Sequence, residues 1–545
     1  MNAVIPEPRT TAPATGHAPG PRTAGPWRVH AAHPGLAGVA AMVHALLEPH
    51  LGSRLLPLGA EQHQPEASAL TLALVDEIPA ASDTPGTIGV PPDGAARPVD
   101  ESYRLTVEAD GILCRAATPV GVFRAATTAL QLLATSGGRL PRQELADAPR
   151  HAWRGLLLDP ARGYLTPDEV RQVIDLAALY KLNVLHLHLT DNEGWRLELP
   201  GTPQLTAPAP DGTPRAFYTT DDYRLLQAYA AQRFVTVVPE IDLPGHCATL
   251  REALPGLPDA PAPAWLAGRF PYVAPLDLTD PATQEAVAAI LAEVCRLTDG
   301  PFVHVGGDEA VGATEESFAH SIRELRALVR ESGKRPIGWQ ESSRAGVDPD
   351  DILQFWVDVP MMDLPDTADE IAARPELVAA GTTLEFVQAL KSFFAPTDQD
   401  LTRILDGGGR VLLSPQSHLY LDRAYAPEVV PAGRQADAAR LGFPTYRPLG
   451  VEHTAAWDPM SYGIPEDRVA GVEATVFAES VESLDDVTTL LLPRLASVAA
   501  AAWTGRAPDW TGHRARLAHH GRLWEQRGLA YLPSTEIPWA AAPES

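Results

Sequence analysis

The chain has 545 residues, 45% of them apolar, which is enough for a large buried core and for more than one domain. Its 69 acidic and 43 basic residues leave a formal charge of −26, a field that repels nucleic acid and anionic membranes but says little about a neutral ligand. Three cysteines, Cys114, Cys247 and Cys295, are too few and too odd in number for a disulfide framework, and read as small buried apolar groups in a reducing compartment.

Residues 1–27 are rich in Pro, Ala, Thr and Gly and carry no apolar leader segment, so they read as a disordered tail. No apolar run reaches membrane-spanning length. These features predict a soluble, cytoplasmic protein, or a secreted one if the true start lies upstream. Residues 28–150 then show a helix over 36–51, a strand over 71–75, a hairpin of 103–108 and 112–115 about Asp110-Gly111, and a helix over 119–134. That mixture predicts a small α+β domain, and with no catalytic constellation in it, its expected role is support.

From His151 the rhythm changes to strand, helix, strand, helix. Thr166-Pro167-Asp168-Glu169 is a strong helix start, with Thr as N-cap and Pro at the first helical position. Buried strands are expected over 156–159, 184–191, 235–240, 302–305, 337–339, 352–356, 411–413 and 469–473. Helices are expected over 166–181, 220–232, 282–297 and 484–503. Eight such strands with intervening helices predict a (β/α)8 barrel over 151–505, followed over 506–545 by a capping helix and a loose end.

The stretch Phe302-Val303-His304-Val305-Gly306-Gly307-Asp308-Glu309 draws the chemistry together. Neighbours within a strand point to opposite faces, so an Asp-Glu pair there could not share a pocket. Two glycines at the strand end allow the backbone to turn both acids toward one point. Taken alone, the pair reads first as a solvated opening of the next helix. The other strand ends change that, because each carries polar or aromatic residues at the face where barrels of this class work. They are Asp159 and Arg162, Asp191, Asp242 and His246, Trp339 and Glu341, Trp356, Tyr420 and Asp422, and Phe477 and Glu479. Aromatic faces stack on pyranose rings while carboxylates and Arg bind hydroxyls, so this ring of residues reads as a sugar pocket.

Four motifs in order resemble glycoside hydrolase family 20, the β-N-acetylhexosaminidases. They are Trp153-Arg154-Gly155-Leu156-Leu157-Leu158-Asp159 with Arg162, Lys181 to Asp191 with Gly194-Trp195-Arg196, Pro239-Glu240-Ile241-Asp242-Leu243-Pro244-Gly245-His246, and His304 to Glu309. The resemblance spans about residues 70 to 505. It implies an exo-acting, retaining enzyme on β-linked N-acetylhexosaminide oligosaccharides or glycoconjugates, with no cofactor and no metal, in which the substrate's own acetamido oxygen is the nucleophile. It also implies that Asp308 orients the acetamide, Glu309 is the acid and base, and Asp191 with His246 tunes that acid. Arg162 would hold the 3- and 4-hydroxyls, with Asp242 in the binding set. Trp339, Trp356 and Phe477 would box the acetamido methyl, Tyr420 would donate to its carbonyl, and Asp422 and Glu479 would hold the outer hydroxyls.

Two departures stand out: Phe477 where the family usually has Trp, and Gly163-Tyr164 where a His-Phe pair is common. Other readings remain beside this one. Within the family a lacto-N-biosidase-like enzyme is one. A metal-dependent barrel hydrolase using His186 and His188, which share a strand face, is another, against a reading of both as satisfied core histidines. A non-catalytic sugar-binding protein is the third.

Overall fold

The computed structural model describes residues 3–13, 19–59, 67–78, 86–258, 273–358, 364–379 and 381–540. Its first part is a six-stranded sheet of β1 (Thr10–Pro13), β2 (Trp27–Ala31), β3 (Ser68–Leu74), β4 (Tyr103–Val107), β5 (Gly111–Ala116) and β6 (Gln143–Asp147), in the order β1-β6-β4-β5-β3-β2. β4 and β5 form the expected antiparallel hairpin, while β3 runs parallel to both β5 and β2. Helices α1 (Ala37–Leu51) and α2 (Pro119–Thr135) pack together, and α2 lies across β3, β4 and β5.

The expected disordered tail is corrected for its described residues. Thr10–Pro13 adds an edge strand to β6, and Val4 and Ile5 are fully buried. Gln131 of α2 accepts from the Ile5 amide at 2.8 Å and donates to its carbonyl at 2.7 Å. Low-complexity composition misled here because an edge strand tolerates proline, and two apolar residues anchored by one buried amide suffice to order the segment.

The second part is a (β/α)8 barrel. Strands β7 (Trp153–Leu158), β8 (Val184–His188), β9 (Thr236–Glu240), β10 (Phe302–His304), β11 (Arg335–Trp339), β12 (Ile352–Phe355), β13 (Arg410–Leu413) and β14 (Val469–Val476) close on themselves, all parallel. Thr166 caps α3 (Pro167–Leu179) with a reciprocal bond to Glu169, as its sequence predicts. Helices α4 (Thr220–Ala231), α5 (Ala248–Ala253), α6 (Pro281–Leu297) and α7 (Glu315–Glu331) follow β8, β9 and β10.

Val90 packs with Trp153, Val184, Val238, Phe302, Ile337, Ile352, Leu412 and Ala470, an apolar layer to which every barrel strand contributes one residue, none of them the last of its strand. That layer fills the N-terminal end of the barrel and leaves the polar chemistry to the C-terminal end.

The helix expected over 484–503 is two, Leu484–Leu491 and Arg494–Thr504, bent by 54° where Pro493 lacks an amide donor. Residues 506–540 are likewise more ordered than expected. Beyond helices Trp510–Leu517 and His520–Gln526, Leu532 and Ile537 are buried, and the second of these helices packs on α1 and α2. Where the small domain meets the barrel, Glu101 accepts from Arg124 at 2.8 Å and from Arg154 at 2.7 Å.

Candidate active site

The two adjacent acids stand just past β10. Gly306 and Gly307 have φ of 70° and 102°, and a Cβ on either would collide, with the Asp242 carboxylate or with Ser342. Glu309 itself is left-handed at φ 42°. The turn brings both acids to one atom: His246 Nε2 lies 3.9 Å from Asp308 Oδ2 and 3.7 Å from Glu309 Oε2. They differ in surroundings, since the Glu309 side chain is 36% exposed and that of Asp308 18%. Among the described residues, Asp308 Oδ1 is buried with no hydrogen-bond partner. Burial, reinforced by Asp242, holds the Asp308 carboxyl well above the usual carboxylate range.

Behind the acids lies Asp191, three residues beyond β8. His246 Nδ1 donates to its Oδ1 at 3.1 Å, His188 Nε2 donates to its Oδ2 at 2.9 Å, and Arg162 Nη2 reaches Oδ2 at 2.6 Å. Burial works against the Asp191 charge, but His246 and Arg162 outweigh it and keep the carboxyl well below its ordinary range. The same exchange holds His246 well above the ordinary imidazole range: burial lowers it, and Asp191 and Asp242 more than reverse that. Asp242 accepts from the Gly307 amide at 3.1 Å, and burial raises its carboxyl to about 6.

One wall is aromatic. Trp339, Trp356, Tyr420 and Phe477 cluster with Leu157, and Trp356 stacks on Tyr420 at 6.1 Å. Phe477 sits 5.3 Å from Tyr420 and 6.4 Å from Trp339. Both indoles are pinned from behind, Trp339 Nε1 donating to Glu240 at 2.8 Å and Trp356 Nε1 to Glu341 at 3.1 Å. Tyr446 and Phe443 join this cluster, although they come from a stretch with no readable motif.

The far end is charged. Arg162 donates to Asp159 at 3.0 Å, lies 3.8 Å from Glu479 and 3.6 Å from Glu193, and stacks over Phe477 at 5.5 Å. Asp422 is buried beside Glu479, and burial together with that neighbour raises its carboxyl to about 7. All twelve residues expected at the site therefore fall at the barrel's C-terminal mouth. The departure at Gly163 has a packing reason, because a Cβ there would press on Ala478. Tyr164 packs against Tyr218 with ring centroids 5.2 Å apart and planes tilted by 33°, with Arg196 over its ring.

His186 and His188 are both tied to carboxylates. His186 Nδ1 donates to Glu473 at 2.8 Å, and His188 is held between Glu240 and Asp191. Three donor groups, His186/Glu240/His304, His188/Asp191/Asp242 and Asp242/His246/Asp308, have the spacing a cation would need. The residues that sequence reasoning left without a role are Glu240, Glu473 and Glu193. Glu240 and Glu473 carry one signal, a carboxylate inside an otherwise apolar strand.

The family model described as glycosyl hydrolase family 20, catalytic domain, matches residues 151–321 and 310–506, and that family's domain 2 matches residues 1–148. A β-N-acetylhexosaminidase of Cellulomonas fimi is 32% identical over 452 residues, covering 81% of this chain and 82% of the relative. The solved β-N-acetylhexosaminidase of Streptomyces coelicolor A3(2) superimposes with a TM-score of 0.72 at 27% identity, covering 99% of each chain. A Streptomyces plicatus β-hexosaminidase in complex with its product GlcNAc does so with a TM-score of 0.72 at 28% identity, over 99% of this chain and 98% of that one. With that family's two domain models matching the barrel and the sheet domain in turn, the chain belongs to glycosyl hydrolase family 20, and it is a glycoside hydrolase.

Proposed function

We propose that the enzyme is an exo-acting, retaining β-N-acetylhexosaminidase that releases terminal N-acetyl-D-hexosamine by substrate-assisted catalysis. The observation that carries this reading is the buried, unpartnered Oδ1 of Asp308 near an aromatic wall. A buried acceptor without a donor is costly, and an acetamide N–H would supply the donor while its methyl meets Trp339, Trp356 and Phe477.

In the proposed reaction the acetamido oxygen attacks C1 as Glu309 protonates the departing glycosidic oxygen. The oxazolinium ion that forms is stabilised by Asp308. Glu309, now a carboxylate, then takes a proton from the water that opens the ring at C1, restoring the β configuration. The nucleophile arrives tethered to the substrate, so no protein nucleophile is required. Arg162, enclosed by Asp159, Asp191 and Glu479, supports a blind-ended pocket for one terminal sugar. The names of the relatives support the same sugar class, as does GlcNAc in the Streptomyces plicatus complex.

The test is a thiazoline mimic of the oxazolinium, together with the anomer formed first from an aryl N-acetyl-β-glucosaminide, followed by NMR. Inhibition at concentrations about 10²-fold below the substrate KM and initial release of the β anomer are expected. Indifference to the mimic, or the α anomer first, would contradict the mechanism.

A further inference from the structure

Glu240, the last residue of β9, is fully buried and stands where two chains of contacts meet. Four ring nitrogens converge on its two oxygens. Oε2 accepts from His188 Nδ1 at 2.5 Å and lies 3.2 Å from His186 Nε2. Oε1 accepts from Trp339 Nε1 at 2.8 Å and lies 3.0 Å from His304 Nδ1. These groups come from β8, β10 and β11, with Asp242 just beyond Glu240's own strand and Glu473 of β14 behind His186.

One chain of contacts runs toward the proton donor. From Glu240 it passes through His188 to Asp191 at 2.9 Å, through Asp191 to His246 at 3.1 Å, and on to Glu309 at 3.7 Å. The other ends at the Trp339 indole, which lines the aromatic wall. Each Glu240 oxygen thus accepts one hydrogen bond, Oε2 from His188 and Oε1 from the Trp339 indole, with a second imidazole close beside it.

We propose that Glu240 is a positioning residue serving both halves of the reaction. Through His188 it sets the charge behind the proton donor, and through the Trp339 indole it fixes the wall that receives the acetamide. The proposal rests on the roles given above to Glu309 and Trp339. Electrostatics support it. Burial disfavours a charge on Glu240, but His304 and His188 outweigh burial and keep its carboxyl well below the ordinary range; burial lowers the His304 imidazole itself, so His188 is the cationic partner. Burial likewise lowers His188, yet Glu240 and Asp191 hold it well above the ordinary imidazole range, as a cation between two carboxylates.

The test compares Glu240→Gln and His188→Gln in the full-length enzyme, with Glu309→Gln alongside. The readouts are the pH profile of kcat/KM and the preference for an N-acetyl-β-glucosaminide over the plain β-glucoside of the same phenol. Glu240→Gln removes a negative charge from behind His188, so Glu309 gives up its proton more readily. The basic limb is expected to move down by about half a pH unit or more. One amide oxygen then replaces two acceptors, so His188 and the indole compete for it, the indole loosens and the acetamido preference falls roughly fivefold or more.

His188→Gln removes a positive charge beside Asp191, so its basic limb moves the opposite way, upward, with the acetamido preference unchanged. Opposite shifts are not what general loosening produces, and active-site titration normalises for any loss of folded protein. If Glu240→Gln does not fold, the upward shift in His188→Gln still tests the chain to Glu309. A uniform fall in kcat with both readouts unmoved overturns the proposal, as does a His188→Gln limb that stays in place. If Glu309→Gln keeps wild-type turnover, the assignment of the proton donor fails first and the proposal with it. If Glu309→Gln is inactive while the other variants move neither readout, this proposal fails alone.

Discussion

Two buried, charged regions of this molecule are solved in opposite ways. At the junction of sheet domain and barrel, Glu101 is shared by Arg124 and Arg154; burial opposes its charge, but the two guanidinia hold its carboxyl below the ordinary range. At the barrel mouth the carboxylates outnumber their donors. Asp308, Glu341 and Asp422 each keep a buried oxygen with no partner among the described residues, and burial drives all three above the ordinary range. Paired charge of the first kind locks two domains together, whereas unpartnered carboxyl oxygens of the second kind have a cost that substrate can relieve. The contrast marks the mouth as the place where stability is given up for chemistry.

Four substitutions break or sharpen this contrast. Glu309→Gln is expected to lower turnover of an unactivated N-acetylhexosaminide about 10³-fold, with a smaller loss on an activated aryl leaving group. Equal losses on the two substrates, measured at saturation, would remove the acid role. Glu101→Gln should act on the other region alone. It leaves two buried guanidinia without their carboxylate and costs about 3–5 kcal/mol in denaturant unfolding, with activity per folded molecule unchanged. Because the folded pKa of Glu101 is depressed, its contribution is present above the unfolded value and lost as pH falls through the folded one. The variant should therefore lose less stability than the wild type on acidification.

Asp422→Asn should show the reverse sign. The Asp422 carboxyl titrates at about 7 in the folded state, so the wild type loses stability as pH rises from the unfolded carboxylate value toward 7. The amide escapes that penalty, and at pH 8 the variant should be roughly 1–3 kcal/mol more stable while its KM for the terminal sugar rises. Unchanged stability at pH 8 would show that Asp422 is solvated rather than strained. The smallest effect belongs to Phe477→Trp, which adds ring area beside Tyr420 and beneath Arg162. It should change KM by less than ~10-fold and leave kcat nearly constant.

The barrel and its mouth were legible because their signals are local. Apolar runs mark buried strands, Thr166 to Glu169 marks a helix start, and Gly306-Gly307 before two acids marks a turn that only glycine tolerates. What was not legible depends on contacts distant in the chain. Thr10–Pro13 becomes a strand only because β6, more than 130 residues later, offers an edge. Tyr446 reaches the aromatic wall from the long stretch between the seventh and eighth strands, where the sequence pattern assigns no element. Glu240 and Glu473 were visible as carboxylates in apolar strands, but their partners His188, His186 and Trp339 lie on other strands, so neither could be given a role. The predicted helix over 484–503 failed for a nearer reason, since Pro493 sat in view within an otherwise continuous apolar pattern.

The division of labour between Asp308 and Glu309 is tested most directly by comparing kcat/KM for the N-acetyl-β-glucosaminide and the β-glucoside of a single chromogenic phenol. A tethered acetamide nucleophile predicts a preference of about 10³-fold or more for the acetamido sugar, largely abolished in Asp308→Asn. Comparable rates on the two sugars would contradict the account.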